Sequence, residues 1–456
     1  MKNTFKLFGI IAIIALALTA CFSLWKGDEA VITLYLGGGA GGRAAMKYPP
    51  DNGIRGSLVH IVQLSGPDGD QTIEFEKGAL TAEITVVPGR WVITVKAFLD
   101  DKLSDMYAEG SRSVNLIAGR NNKVEIEMQY ARAEVPGDSL TEKLNWLGKY
   151  AQNNRSYVLE VGVDENIAPH GLSYGGRNVT ITLKGIGANG AKTVSLLSKG
   201  SMFYVDSGVT LILDNITLNG FDQNTDPLIS IGSGGTLTME KGSVIKDNIR
   251  EEGFGGGVWM DKDGNLTMNG NAEISGNTAA GAGGVCIHGN LTMNNTAKIS
   301  GNNANGVVGG GVFVGGNGIL TMNGNAEISG NAANKDGTEG GSGGGVYISG
   351  PEPDYNESGE FNMYGGVISG NTAEEWGGGI FVQGTFRIVT GIIYGSDALD
   401  DLKNTAYTTE GAALAVHDSG GTAQYGTFVS GTWTKRGALD HTIDKTIDVY
   451  DGEKKQ

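Results

Sequence analysis

Apolar and polar residues alternate with period two in short runs over the second half of the chain, and the runs recur. LTMNGNAEISGN occupies 266–277, LTMNNTAKISGN 291–302 and LTMNGNAEISGN 320–331, followed by FNMYGGVISGN at 361–371. The methionines Met239, Met268, Met293, Met322 and Met363 of this phrase are spaced by 29, 25, 29 and 41 residues. The alternation predicts short strands, with Leu266, Met268 and Ile274 on one face and Thr267 and Glu273 on the other. A second phrase alternates with the first: GGGVWM, GGVCI, GGGVFV, GGGVYI and GGGIFV, ending at Met260, Ile287, Val314, Ile348 and Val382. Gly and Asn separate the strands, and both tolerate the left-handed backbone that sharp bends require. A unit of this size cannot bury its apolar face alone and must stack on its neighbours. The fold class expected is all-β: a right-handed parallel β-helix over 155–450, of about eleven turns and about 50 Å long. A leucine-rich repeat would need leucines where Asn269 and Ala272 stand.

Two columns follow from stacking. The asparagines that close the first phrase, Asn248, Asn277, Asn302, Asn331 and Asn371, with a degenerate copy ending at Ser396, are expected to hydrogen-bond along the axis at one corner. If Val258 and Met260 face the core, Trp259 faces out, and its equivalents are Cys286, Phe313, Tyr347 and Phe381. At about 4.8 Å between strands these side chains form a ladder. Exposed, it suits the apolar faces of sugars or a flat protein partner; covered by Gly-rich connections or by the inserts at 335–343 and 350–359, it is packing. Trp259, Phe313, Tyr347 and Phe381 are therefore the candidate ligand contacts.

Upstream, the runs at 30–36, 58–64, 80–86, 90–98 and 113–128 read as strands of a small β-sandwich over 30–133. A linker with Pro136 and Gly137 follows, then a helix. Ser139 and Glu142 make a capping box, and Leu140, Leu144, Leu147 and Ala151 share one face. An open solenoid end exposes core and strand edges, so 134–154 is assigned as linker and N-terminal cap.

At the start of the chain, Lys2 and Lys6 precede an apolar run from Leu7 to Ala20, which reads as a secretory signal peptide over 1–20. Leu18, Thr19, Ala20 and Cys21 resemble a bacterial lipoprotein box, which implies cleavage before Cys21, acylation of its thiol and amine, and a lipidated tether over 21–29. Several acyl chains suffice for stable anchoring where one does not. The formal charge of −16 disfavours nucleic acid as a partner. Of two cysteines, lipidation uses one, leaving Cys286 as a lone wall thiol with no disulfide. Residues 451–456 read as a polar tail.

The Gly-Gly-apolar phrases resemble the repeat of the chlamydial-type polymorphic outer-membrane proteins, and 155–450 resembles the wider pectate-lyase-like β-helix superfamily. ISGN stands where the former has FxxN. The PGRWVITVKAF and AGRNNKVEIEM segments are similar to immunoglobulin-like or carboxypeptidase-regulatory-like domains. The superfamily implies an outward stack of carboxylates with a nearby cation if the chain cleaves acidic polysaccharides. The outward series here are Thr267, Thr292, Thr321, Asn362, Arg387 and Glu273, Lys298, Glu327, Val367, which form no such stack. Asn224-Thr225-Asp226 matches one polygalacturonase piece, without the others. No catalytic residue, cofactor or metal site is assigned; the histidines lack ligand spacing, and weak surface calcium at Asp222, Asp226 or the loop with Glu352, Asp354 and Glu357 stays open. The expectation is an outer-membrane lipoprotein, surface-exposed or facing the periplasm. It is held to the membrane by its N-terminal lipid and binds a host protein or glycan without catalysis. A polysaccharide lyase or hydrolase and a passive surface protein are the alternatives.

Overall fold

The computed structural model describes residues 29–36, 58–98, 106–126, 128–130, 135–187, 191–306, 308–334, 340–351, 357–407, 411–417, 420–439, 442–450 and 453–455. The chain forms two compact units, 1–132 and 133–456. The leader, Cys21 and its tether to Asp28 lie outside the described residues, as do the centres of both inserts, 335–339 and 352–356. Among the described residues no helix is long and apolar enough to cross a membrane.

The first unit has two sheets. One orders β4 (Thr81–Val86), β1 (Ala30–Leu36) and β7 (Asn121–Ile126). The other orders β3 (Gly69–Glu74), β2 (Val59–Gly66), β5 (Gly89–Phe98), β6 (Met106–Leu116) and β8 (Gln129–Tyr130). Alternate residues turn inward, among them Ile32, Leu34, Val62, Leu64, Trp91, Ile93 and Val95. Two departures from expectation have simple causes. The run 113–128 is two strands, broken where Gly119 takes φ +65°. β3 is a polar edge strand whose GDQTIE sequence offers no apolar run, yet it pairs with β2 residue for residue. On β2, His60 is wholly buried with its ring 6.3 Å from Phe75. Burial lowers its pKa to about 4, against an ordinary 6.5. The neutral form is the one the fold accepts, so the contribution is complete above pH 6.5 and is lost as pH falls through about 4. The magnitude is about 3 kcal/mol. Acid unfolding of this unit, followed by near-UV circular dichroism, is expected to shift to lower pH in His60→Phe.

In the second unit the helix α1 (Leu140–Tyr150) begins at Ser139, whose side chain accepts from Glu142 N–H while Glu142 answers to the Ser139 backbone. Leu140, Leu144 and Leu147 are buried in one continuous core with Leu159, Ile181 and the columns beyond. The expected cap is present. Glu165 on the coil that follows accepts from Leu140 N–H at 2.8 Å, tying helix to solenoid.

Each coil then runs through three parallel sheets. The first contains Asn265–Met268, Asn290–Met293, Ile319–Met322 and Glu360–Met363; the second, Glu273–Ser275, Lys298–Ser300 and Glu327–Ser329; the third, Val258–Met260, Val285–Ile287, Val312–Val314, Val346–Ile348 and Ile380–Val382. A fourth, of two-residue strands such as Thr278–Ala279 and Thr372–Ala373, follows the second at one corner. Register is uninterrupted: Leu237, Leu266, Leu291, Leu320, Phe361 and Phe386 align, as do Met239, Met268, Met293, Met322 and Met363, all at 0–1 % exposure. This is the expected parallel β-helix. Its first sheet has ten parallel strands among the described residues, about one fewer than expected, because the chain then reverses. Thr432–Ala438, Thr442–Ile443 and Ile447–Tyr450 pair antiparallel with the last coils, and Leu439, Ile447 and Val449 join the core. Glu453–Lys455, read as polar tail, is an exposed strand paired with Ile447–Tyr450.

The asparagine corner is a hydrogen-bonded column. Asn277 N–H and Nδ2 both donate to Asn302 Oδ1 at 3.0 Å, Asn302 does the same to Asn331, and Asn331 to Asn371. Each Nδ2 also donates to an isoleucine carbonyl of an earlier coil, as Asn331 does to Ile299 at 3.0 Å. Asn248 is a rung, its N–H donating to Asn277 Oδ1. The column is longer than expected at both ends. Asn224 Nδ2 donates to Asn248 Oδ1, so the polygalacturonase-like tripeptide begins with a structural rung. The last rung is Asn404, which accepts from Asn371 N–H at 2.9 Å; the degenerate copy does not close at Ser396 but is interrupted by a loop through Lys403.

Candidate functional site

The third sheet presents its outward residues in the expected order. Ser230, Trp259, Cys286, Phe313, Tyr347, Phe381 and Ala415 are successive register partners, and Tyr204 precedes them. The rings stack along the axis: Phe313 and Tyr347 lie 5.5 Å apart at 19°, Tyr347 and Phe381 5.1 Å apart at 42°.

The ladder is not an open strip. Cys286, Phe313 and Phe381 are 1 %, 8 % and 4 % exposed, while Trp259 and Tyr347 are half-buried. The cover comes from the Gly-rich connection before each third-sheet strand. Five residues ahead of each ladder position stands a second outer column: Phe254, Gly281, Val308, Ser342 and Trp376. Phe254 bridges in parallel to Gly281, and Val308 to Ser342. Phe254 packs edge-on against Phe313 at 5.3 Å, and Trp376 lies flat on Phe381 at 5.8 Å and 12°. Ala282, Cys286, Val308 and Phe313 thus form a small outer core separate from the main one. Cys286, one of the chain's two cysteines, is part of this wall.

This second column was hidden in the sequence because its members are chemically unlike one another. The signal that could have found it is the shared offset of five from the ladder, since parallel stacking carries any offset from coil to coil. The connection can lie so close because it is glycine. Gly255, Gly309, Gly343 and Gly377 take φ between +66° and +76°, and Ala282 holds the equivalent place at +51°.

Two clefts remain. The first, about 460 Å³, is lined by Arg250, Gly253, Phe254, Trp259, Cys286, His288 and Phe313. Arg250 is half-buried and donates to the backbone carbonyls of Thr225, at 3.2 Å, and Phe254. Burial pushes its guanidinium below the usual value, with the charge of Asp226 acting in the opposite sense. The second cleft, about 280 Å³, opens where Ser342 is small between Val308 and Trp376. Tyr347, Glu375, Phe381, Gln383 and His417 complete its lining. His288 and His417, unremarkable in the sequence, each pack edge-on against a ladder ring, Phe313 at 6.4 Å and Phe381 at 6.0 Å. A further depression of about 360 Å³ lies on the first sheet's outer face, between Asn154, Ser156, Asn178, Thr180 and Thr210. It has neither an aromatic nor a charged group, so the ladder face is the better equipped surface.

The outward carboxylates do not converge. Lys298 pairs with Glu327 at 3.0 Å, and Ser300 donates to Glu273, so the second sheet's charges compensate between coils. That pairing, with Ser329, holds the Glu327 carboxyl below the usual range despite the opposing effect of its partial burial. Glu360 pairs with Arg387 at 2.6 Å, a single neutralised carboxylate. Asp222 is exposed, Glu357 accepts from Asn317, and Glu352 and Asp354 lie outside the described residues. Among the described residues no group of His, Cys, Asp or Glu is arranged to hold a metal ion. Asp400 lies in an exposed loop, paired with Lys403. Compared with protein-family models, with curated proteins and with solved structures, the chain matches none.

Proposed function

We propose that this chain is a lipid-anchored protein of the bacterial cell envelope that binds a glycan or another macromolecule through the outer face of its third sheet, without turning it over. The observation that carries the reading is the aromatic ladder, which opens into two clefts where rings and polar groups meet. Concave sites with aromatic walls and a few placed polar groups are the usual form of ligand seats. Anchoring rests on the Leu18–Cys21 box, and the charge of −16 supports a soluble, displayed domain. Cleavage of a polysaccharide, the alternative, calls for paired carboxylates beside a cation, and Glu360 with Arg387 is one carboxylate already engaged.

The test is a glycan and matrix-protein array probed with the purified chain, with reducing-sugar release assayed on the same polysaccharides. Binding without release is expected. Replacement of the half-buried Trp259 by Ala is expected to weaken binding by roughly tenfold for a ligand that spans the first cleft, with an unchanged melting profile. Phe313→Ala is a poor probe, because that ring is part of the outer core. Sugar release, or no binding to any glycan or matrix protein, would sink this reading.

A further inference from the structure

Trp376 is the most exposed ring between Phe254 and Phe381 on the ladder face, at 40 %, and it is also firmly held. One face of its indole lies on Phe381, which Tyr347 and His417 flank in turn. Its backbone is pinned on both sides: Trp376 C=O accepts from Gly343 N–H at 2.9 Å, and Glu375 N–H donates to Gly341 C=O at 2.9 Å. The indole is therefore a fixed platform, partly open to solvent, with Phe381 the only ring in contact with it among the described residues. Beside it, Tyr347 donates its hydroxyl to Gln383 Oε1 at 2.8 Å. That bond orients the amide, leaving Nε2 as a donor with no partner among the described residues. Glu375 supplies a carboxylate acceptor in the same cleft.

A flat apolar platform, an oriented amide donor and an anionic acceptor within about 280 Å³ match one kind of ligand. It has a C–H face on one side and hydroxyls around its rim, able both to accept and to donate. We propose that this cleft seats one neutral hexopyranose ring of a glycan. Its C–H face lies against Trp376, one hydroxyl accepts from Gln383 Nε2, and another donates to Glu375. Glu375 and the chain's net charge of −16 set the cleft against sugars carrying carboxylate or sulfate. The inference rests on the glycan reading above and narrows it to a class of sugar and to one cleft.

The experiment is calorimetric titration of the full chain, solubilised in mild detergent, with neutral hexose oligosaccharides and with their uronic-acid counterparts. Expected are binding of the neutral set, its loss by roughly tenfold or more in Trp376→Ala with an unchanged melting profile, and a smaller loss in Gln383→Ala. Glu375→Gln is expected to keep neutral sugars and to raise affinity for the uronates by roughly fivefold, which a merely structural role of Glu375 does not predict. Neutral sugars bound equally well by Trp376→Ala, or uronates bound at least as tightly as neutral sugars by the native chain, would overturn the seat while leaving glycan binding intact. Failure of every sugar, with an aromatic peptide binding instead, would remove both.

Discussion

Replacement of Asn331 by Ala is expected to cost about 3–5 kcal/mol, among the largest effects of any single side-chain truncation in the solenoid. Asn331 is wholly buried, and its carboxamide serves three neighbours at once. Without it Asn302 N–H and Asn302 Nδ2 lose their shared acceptor, and the Ile299 carbonyl loses its donor. All three lie away from water, so each loss carries a desolvation penalty rather than an exchange for solvent. Equilibrium unfolding in guanidinium chloride measures the effect. Asn331→Asp is the sharper variant. An ionised carboxylate can accept from Asn302 but cannot donate to Ile299 C=O or Asn371 Oδ1, so burial raises its folded-state pKa above the ordinary ~3.9. The variant is then most stable in acid and loses stability as pH rises through that raised value. A midpoint within error of the native protein for both variants would show that the column merely accompanies the fold.

Gly344→Ala is expected to be comparably damaging for a different reason. A Cβ there would lie 2.3 Å from Thr372 O and 2.5 Å from Gly378 O, both backbone atoms of the next coil. A flexible side chain could move aside; a carbonyl within a hydrogen-bonded ladder moves only if the coils part. The cost is about 3 kcal/mol or more. Gly301→Ala is the control. Its φ is +62° and nothing stands within 4 Å of the added carbon, so only left-handed strain of about 1–2 kcal/mol applies. Because coils contact only their neighbours, hydrogen exchange is expected to show loss of protection centred on 340–385 in Gly344→Ala, with the coils around Leu211 and Leu237 retained. Uniform loss along the axis would show the solenoid to be a single cooperative unit.

These two positions mark what could be read from the chain and what could not. The coils were legible because Leu, Met and Ile recur at fixed offsets in LTM and ISGN, and parallel stacking converts equal offsets into columns. The rungs from Asn248 to Asn371 were visible for the same reason. Asn404 was not, since the loop through Lys403 displaces it from its phrase; the Asn-Thr-Ala it shares with Asn277 and Asn371 was the surviving clue. Asn224 looked like a fragment of a catalytic motif because a side chain's hydrogen-bond partners cannot be seen in one sequence. For the candidate site the register of Trp259, Phe313, Tyr347 and Phe381 was accessible, as period two fixes which residues face out. Their cover was not. It depends on how closely a connection approaches the strand it precedes, and that distance is set by glycines whose role is to have no side chain. Trp376, exposed where Phe381 beneath it is buried, belongs to this covering layer.

The position of α1 bears on how the solenoid is built in time. The helix precedes the first coil, so a chain emerging from its N-terminal end has its apolar lid in place before Tyr157 and Leu159 need one. If coils form in the order of synthesis, each later one adds to a finished surface by closing a loop of about 25–40 residues, a small entropic step compared with joining distant parts of the chain. Growth in the direction of synthesis therefore never exposes more than one raw edge, and the antiparallel strands from Thr432 onward cover that edge last.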